Sequence, residues 1–155
     1  MAVTSWRIVA AARAAQAFDG EGARINGGRW NPPGAPVVYT AESAALAALE
    51  MLAHLRPLAA IPAYVLIPCQ FDRRLIERLD RRRLPPRDWR TYPAPVALQL
   101  LGDRWIKKGV SAVLEVPSAL VPTESNYLLN PRHRDFRTIR MGPPRPFDLD
   151  RRLAG

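Results

Sequence analysis

The chain has one cysteine, Cys69, two histidines, and only two lysines among its 23 basic residues. A single thiol excludes an intrachain disulfide and fits a reducing, cytoplasmic setting. Two histidines and one cysteine, widely separated, supply no zinc-type ligand set, so no metal is expected. No His and Asn are placed to make Cys69 a protease nucleophile, and it reads as a small buried hydrophobe. The Gly-rich dinucleotide fingerprint and the Walker loop are both missing. No apolar run approaches the ~20 residues of a membrane span. Arg7 and Arg13 interrupt the apolar start, so Met1 to Phe18 is not expected to be a signal peptide. No repeat or long linker divides the 155 residues, which are expected to form one domain, 1–155, with its own core.

What is plentiful is arginine. It accounts for 21 of the basic residues, the net charge is +9 and the sequence pI is about 10.9. That balance favours an anionic partner: nucleotide, nucleic acid, acidic protein or anionic membrane. A solvated basic surface, set by genomic base composition, is the plain alternative.

The stretch from Gly27 to Leu55 organises the rest. Gly27 and Gly28 allow backbone to turn and lie close to a ligand. Arg29 and Trp30 follow, and Pro32, Pro33 and Gly34 make a rigid turn. Val37 to Thr40 has the β-branched and aromatic character of a short strand. Ala and Leu then predict a helix from Glu42 to Leu55. From Ser43 to Leu55 the only carboxylate is Glu50, with no Lys or Arg beside it. A helix this apolar all round is expected to be buried. Glu50 must then be ion-paired inside the fold or line a pocket. Arg29 and Tyr39 are the nearest candidates to share such a pocket, which would suit an anionic ligand carrying a sugar or ring.

Elsewhere, Ser5 to Ala10 reads as a strand in which Arg7 faces either the cleft or a structural partner. Ala11 to Asn26 reads as irregular, with a turn at Asp19 to Gly22. Pro57 to Pro62 is a breaker, and Ala63 to Ile67 a strand. Asp72 to Arg83 reads as a short amphipathic surface helix, its carboxylates interspersed among arginines, rather than as a phosphate-binding patch. Pro95 to Lys108 predicts a helix with a core stripe at Ala97, Leu101 and Trp105, lysines at its C-terminus and a Gly109 cap. Ser111 to Val116 is a strand. Asn126, Tyr127, Asn130 and His133 form a polar-aromatic cluster before a last strand, Phe136 to Met141. Pro143 to Gly155 is Pro/Arg-rich, extended through Phe147.

Two blocks carry a resemblance. GGRWNPPG at Gly27–Gly34, VVYTAES at Val37–Ser43 and the following Ala/Leu helix with its Glu50 resemble the opening half of the RES domain. VPSALVPTESNYLLNPRHRDF at Val116–Phe136 resembles its closing half. The two come in the expected order, and with Trp6-Arg7 they span nearly the whole chain. These domains are bacterial toxins usually encoded with an Xre-type antitoxin. The resemblance implies an α+β fold: a mixed sheet with flanking helices, related to ADP-ribosyltransferases and diphtheria toxin-like enzymes. It implies NAD⁺ as substrate rather than cofactor, its nicotinamide–ribose bond broken with water or phosphate as acceptor. In some relatives ADP-ribose passes to a protein instead. By motif, Arg29, Tyr39 and Glu50 match the family's arginine, tyrosine and helix glutamate. Asn126 matches the asparagine of the closing block. The site serine is Ser118, with Ser125 as competitor. A cognate antitoxin is expected to occlude the site, with nucleic acid reached only through that complex.

The chemistry needs little from the protein. Nicotinamide leaves neutral from a cationic pyridinium, and the ribose passes through an oxocarbenium-like state. Glu50 would stabilise that charge and hold ribose hydroxyls, Arg29 would grip the pyrophosphate, and Tyr39 would stack on nicotinamide or fix the ribose. Ser118, Asn126 and Arg7 would complete the polar wall. Two other readings stand beside this one: an RNA-binding or RNA-cleaving toxin using the basic surface, and a non-catalytic basic module in which Glu50 is an ion pair.

Overall fold

The computed structural model describes residues 1–54 and 62–154. One eight-stranded sheet runs through it, with strands β1 (Ala2–Ala10), β2 (Val38–Ala41), β3 (Tyr64–Asp72), β4 (Ile76–Arg78), β5 (Val113–Pro117), β6 (Ser125–Leu129), β7 (Arg140–Met141) and β8 (Arg145–Phe147). Their order is β4-β5-β6-β2-β1-β3-β7, with β8 also paired to β3. Only β4 and β5 are parallel. Among the described residues, three α-helices flank the sheet: α1 (Glu21–Asn26), α2 (Ala44–His54) and α3 (Val96–Lys108). This is the α+β class with a mixed sheet and flanking helices that the resemblance implied.

Among the described residues, three apolar clusters hold the helices and loops to the sheet, two of them large. Trp30, Leu98, Trp105, Leu114, Val116 and Leu128 form one, which packs α3 and the Gly27–Asn31 loop against β5 and β6. Val38, Cys69, Phe71, Val113, Leu129 and Ile139 form another. Cys69 is fully buried, as read, and its Sγ lies 3.0 Å from Ser5 Oγ. Helix α3 starts after Pro95 and ends on Gly109 in the left-handed conformation, φ 60°. Its buried residues are Leu98, Gly102 and Trp105, so the core stripe sits one position on from the expected Ala97 and Leu101.

Several expected elements differ. Strand β3 runs on through Pro68 to Asp72, and Ser125–Leu129 is a central strand. Within Ala11–Asn26, expected to be irregular, a 3₁₀ turn (Ala11–Gln16) and α1 form. The expected surface helix at 72–83 is instead two 3₁₀ turns around the short strand β4. Asp72 and Asp80 accept the backbone N–H of Arg74 and Arg82 and pair with those same side chains. Such a local side-chain bond offers the backbone an alternative to helix, and both carboxyls are held below the usual range by these bonds. The expected last strand is likewise mostly a 3₁₀ turn, Arg134–Thr138, begun where His133 Nδ1 accepts from Asp135 N–H. Only Arg140–Met141 pairs. The extension through Phe147 is β8.

The central helix departs in one informative way. Ser43 Oγ accepts from Leu46 N–H and starts it. Yet α2 is not buried all round: Leu46 and Ala47 are its buried residues, while Leu49 is 42% exposed. Leu46 and Ala47 pack on Ala41 and against Trp6, Ile8 and Val121. Alanine lets a helix look apolar by sequence without enclosing it. Leu55, and the breaker at Pro57–Pro62 except for Pro62, lie outside the described residues. Among those described, no helix is long and apolar enough to cross a membrane.

Candidate active site

The register of three strands decides which polar residues meet. Pairing of β5 with β6 sets Val116 opposite Asn126 and Pro117 opposite Ser125, and β2 sets Ala41 opposite Asn126. Ser118, just past β5, and Asn126, near the start of β6, therefore end on one side of the sheet. Helix α2 crosses the same region on its Leu46–Ala47 face. Glu50 lies one turn beyond Leu46, so it shares that face.

Glu50 meets both. Ser118 Oγ donates to Glu50 Oε1 at 2.8 Å, and Asn126 Nδ2 donates to the same oxygen at 2.9 Å. Ser118 is fully buried and its Oγ accepts from the backbone N–H groups of Leu120 and Val121, both at 3.1 Å. With those donors on its oxygen, its one proton is directed at the carboxylate. Two bonds thus hold Oε1, and among the described residues nothing donates to Oε2. Asn126 Oδ1, buried, also has no partner. The buried Asn126 Oδ1 suits a ligand bearing a hydroxyl or amide donor, because a buried acceptor left unpaired costs about 1–3 kcal/mol. The competing serine goes elsewhere: Ser125 Oγ donates to Glu115 Oε2 at 3.1 Å.

Arg29 comes from a tight turn. Gly28 and Asn31 bridge each other, with N–H to O distances of 2.9 and 3.4 Å, leaving Arg29 and Trp30 at the tip. Trp30 turns into the core. Arg29 turns outward, and its Nη1 donates to the carbonyls of Trp89 (3.1 Å) and Thr91 (2.9 Å). Partial burial draws the pKa of its guanidinium down, and the Glu50 carboxylate, near enough to interact, acts against this. No ion pair within 4 Å joins them or engages Glu50 among the described residues. The structural ion pair considered for Glu50 is not made there.

Tyr39 sits under that turn. Its hydroxyl donates to Asn31 Oδ1 at 2.5 Å and accepts from Trp30 N–H at 3.1 Å. A Cβ on Gly28 would fall 2.6 Å from that hydroxyl, which is why glycine stands there. Burial pushes the Tyr39 phenol up from its ordinary value, so it remains a proton donor. Phenylalanine at position 39 leaves Asn31 Oδ1 and Trp30 N–H unpaired. We expect Tyr39→Phe to lower unfolding free energy by about 1–3 kcal/mol in urea denaturation and to loosen the placement of Arg29. An unchanged midpoint would mean that the turn holds without this hydroxyl.

Arg7 does not join the cluster. Its Nε donates to Ala17 O (2.6 Å) and its Nη1 to Tyr39 O (2.9 Å), and burial lowers its pKa. It ties β1 to β2 and to the Ala17 segment. Two residues that sequence reasoning did not single out support the turn. Asn31, fully buried, donates to Ala23 O and Pro32 O. Gln99 Nε2, from α3, donates to Gly28 O at 3.0 Å. Asn31 stood inside the quoted GGRWN motif; Gln99 had no sequence signal, since only packing brings α3 to this loop. Neither histidine belongs: His54 ends α2 exposed, and His133 Nδ1 is bonded to its own turn. No metal-binding group of His, Cys, Asp and Glu occurs among the described residues. A groove of about 890 Å³ at the far end of β6, between Pro33, Val110 and Arg132, is lined by none of Arg29, Tyr39, Glu50, Ser118 and Asn126.

Comparison with known proteins gives consistent results. The RES domain family matches residues 4–150. The protein named Toxin Res from Yersinia enterocolitica is 38% identical over 149 residues, covering 96% of this chain and 97% of that one. The Prs ADP-ribosylating toxin of a Sphingobium species is 36% identical, covering 99% and 98%. Among solved structures, the M. tuberculosis MbcT–MbcA toxin–antitoxin complex contains a chain that superposes with a TM-score of 0.76 at 21% identity, over 95% of this chain and 85% of that one.

Proposed function

The chain belongs to the RES domain family, and from that premise we propose that it is the toxin of a toxin–antitoxin pair and consumes NAD⁺ by breaking the nicotinamide–ribose bond. One observation carries this reading: Glu50 is held by Ser118 and Asn126 through one carboxylate oxygen while the other has no donor among the described residues, and the Arg29 cation is near enough to feel its charge. A carboxylate pinned in this way stabilises positive charge without having to reorganise. The developing oxocarbenium is such a charge, and nicotinamide departs neutral, so no acid is required to expel it.

In this scheme Glu50 Oε2 faces the ribose and the anomeric carbon, and Arg29 binds the diphosphate. Tyr39 places Arg29 by holding its turn. NAD⁺ is the substrate, and neither metal nor cofactor takes part. Water or phosphate then attacks the ribosyl cation. A protein side chain is the other acceptor, a reading favoured by the printed name of the Sphingobium relative. The toxin–antitoxin title of the structural relative supports a protein partner. A chain of net charge +9 suits one that lays an acidic segment over the Arg29–Glu50 cleft. We place that partner in the Xre class and the pair in the bacterial cytoplasm, with DNA contacted through the antitoxin.

The test is nicotinamide release from NAD⁺ by the purified chain, with and without phosphate. We expect release in both, with ADP-ribose as product in water and ADP-ribose 1″-phosphate where phosphate is the acceptor. Release only when a cell extract is added would shift the assignment to protein ADP-ribosylation. No release under any of these conditions, with steady cellular NAD⁺ on induction, would sink it.

A further inference from the structure

Arg29 is not the only guanidinium brought to this site. The two carbonyls that hold Arg29 Nη1 belong to Trp89 and Thr91, the residues on either side of Arg90. Arg90 itself reaches the other wall: its Nε donates to Ala119 O at 2.8 Å. Ala119 follows Ser118, whose hydroxyl is bonded to Glu50. One short segment thus grips the first arginine by its backbone and lays a second against the residue beside the catalytic cluster. Arg90 is exposed. Among the described residues, no carboxylate lies within 4 Å of either guanidinium, and neither terminal nitrogen of Arg90 has a partner. Arg74, Arg82 and Arg152, by contrast, each pair with a neighbouring aspartate; what sets Arg90 apart from the other unpaired surface arginines is its bond to the residue beside Ser118.

We propose that Arg90 is a second phosphate-binding residue, which with Arg29 holds the diphosphate of the dinucleotide beside the Ser118–Glu50 bond. The inference rests on the reading of the chain as an NAD⁺-consuming enzyme and adds the recognition of that substrate's two phosphates. One guanidinium fork matches one phosphate well; a diphosphate presents two. With Nε on Ala119 O, the two terminal amino groups of Arg90 remain for the ligand. The same bond steadies the 118–121 turn, so Arg90 couples phosphate binding to the placement of Ser118.

Glutamine separates the two roles. Its Nε2 occupies the position of arginine Nε along the side chain, so Arg90→Gln retains a donor for Ala119 O and removes the charged fork. The comparison is between wild type, Arg90→Gln and Arg90→Ala, with NAD⁺ and with nicotinamide mononucleotide, which carries one phosphate. We expect both variants to raise KM for NAD⁺ by about ten- to a hundredfold, the value of a lost charge-assisted bond. In Arg90→Gln kcat should stay within about twofold, and KM for the mononucleotide should move less than that for NAD⁺. Arg90→Gln with wild-type KM, or a KM that rises equally for both substrates, would overturn the clamp and leave Arg90 as a loop support. A wild-type chain that neither binds nor cleaves NAD⁺ would overturn the functional reading and the clamp together; a wild-type enzyme with a silent Arg90→Gln removes the clamp alone. Thermal midpoints of both variants identify any loss of KM that reflects unfolding.

Discussion

Glu50→Gln is expected to lower NAD⁺ turnover by about a hundredfold or more while leaving the fold and KM nearly unchanged. Glutamine has the same shape and keeps an oxygen that accepts from Ser118 and Asn126, so the contacts at 2.8 and 2.9 Å survive. What it removes is the negative charge that, in the proposed reaction, stabilises the ribosyl cation. Loss of one preorganised electrostatic contact of this kind costs about 10²–10³ in turnover. An interaction made only in the transition state shows in kcat rather than in KM. The measurement is nicotinamide release at saturating NAD⁺, beside a thermal melt. Wild-type turnover would take Glu50 out of the chemistry. A collapsed melting point with lost activity would make it a structural residue.

Gly102→Ala is expected to have the largest effect on stability. A Cβ there would fall 1.7 Å from the carbonyl oxygen of Trp30 and 2.8 Å from its carbonyl carbon. Both are backbone atoms of the turn that presents Arg29, so no rotamer change relieves the overlap. Helix α3 or the turn must move, and overpacking of a filled core costs about 1–3 kcal/mol or more. At about 2–4 °C per kcal/mol for a chain of this size, a loss of about 3 kcal/mol lowers the thermal midpoint by roughly 6–12 °C. Activity should fall with it even below the melt, because the displaced turn carries Arg29. A midpoint within a degree of wild type would show that the loop and α3 pack less closely than described. Helix propensity alone would favour alanine over glycine here, so a fall in stability reports the contact.

The organising role of residues 27–55 was legible because its signals are local. Paired glycines, a Pro-Pro-Gly turn, a β-branched run and a lone carboxylate on an Ala/Leu helix each act within a few residues. The α3 boundaries, with Pro95 before it and Gly109 after it, were legible for the same reason. Asp72 to Arg83 was not, because its apolar spacing fits a helix while its Asp-Arg-Arg triplets close turns. Ser125–Leu129 was hidden differently. Read alone it is polar and aromatic; it becomes a strand by pairing with β2 on one side and β5 on the other.

The site divides along the same line. The identities of Glu50, Arg29, Tyr39, Ser118 and Asn126 stand in two motifs and need no coordinates to be noticed. Their arrangement is a matter of register and packing. Ser118 rather than Ser125 meets Glu50 because Pro117 pairs with Ser125 across β5 and β6, carrying Ser118 past the strand end to the carboxylate. Arg7 was equally visible in the chain, yet its guanidinium lies on the carbonyls of Ala17 and Tyr39. Gln99, Gly102 and Arg90 carry no mark in the sequence at all. They reach the Arg29 turn and the Ser118 wall because long-range packing brings α3 and the Trp89–Thr91 segment there. Composition and motif name the groups available for chemistry; the distances between them follow from contacts among residues far apart in the chain, which no local pattern encodes.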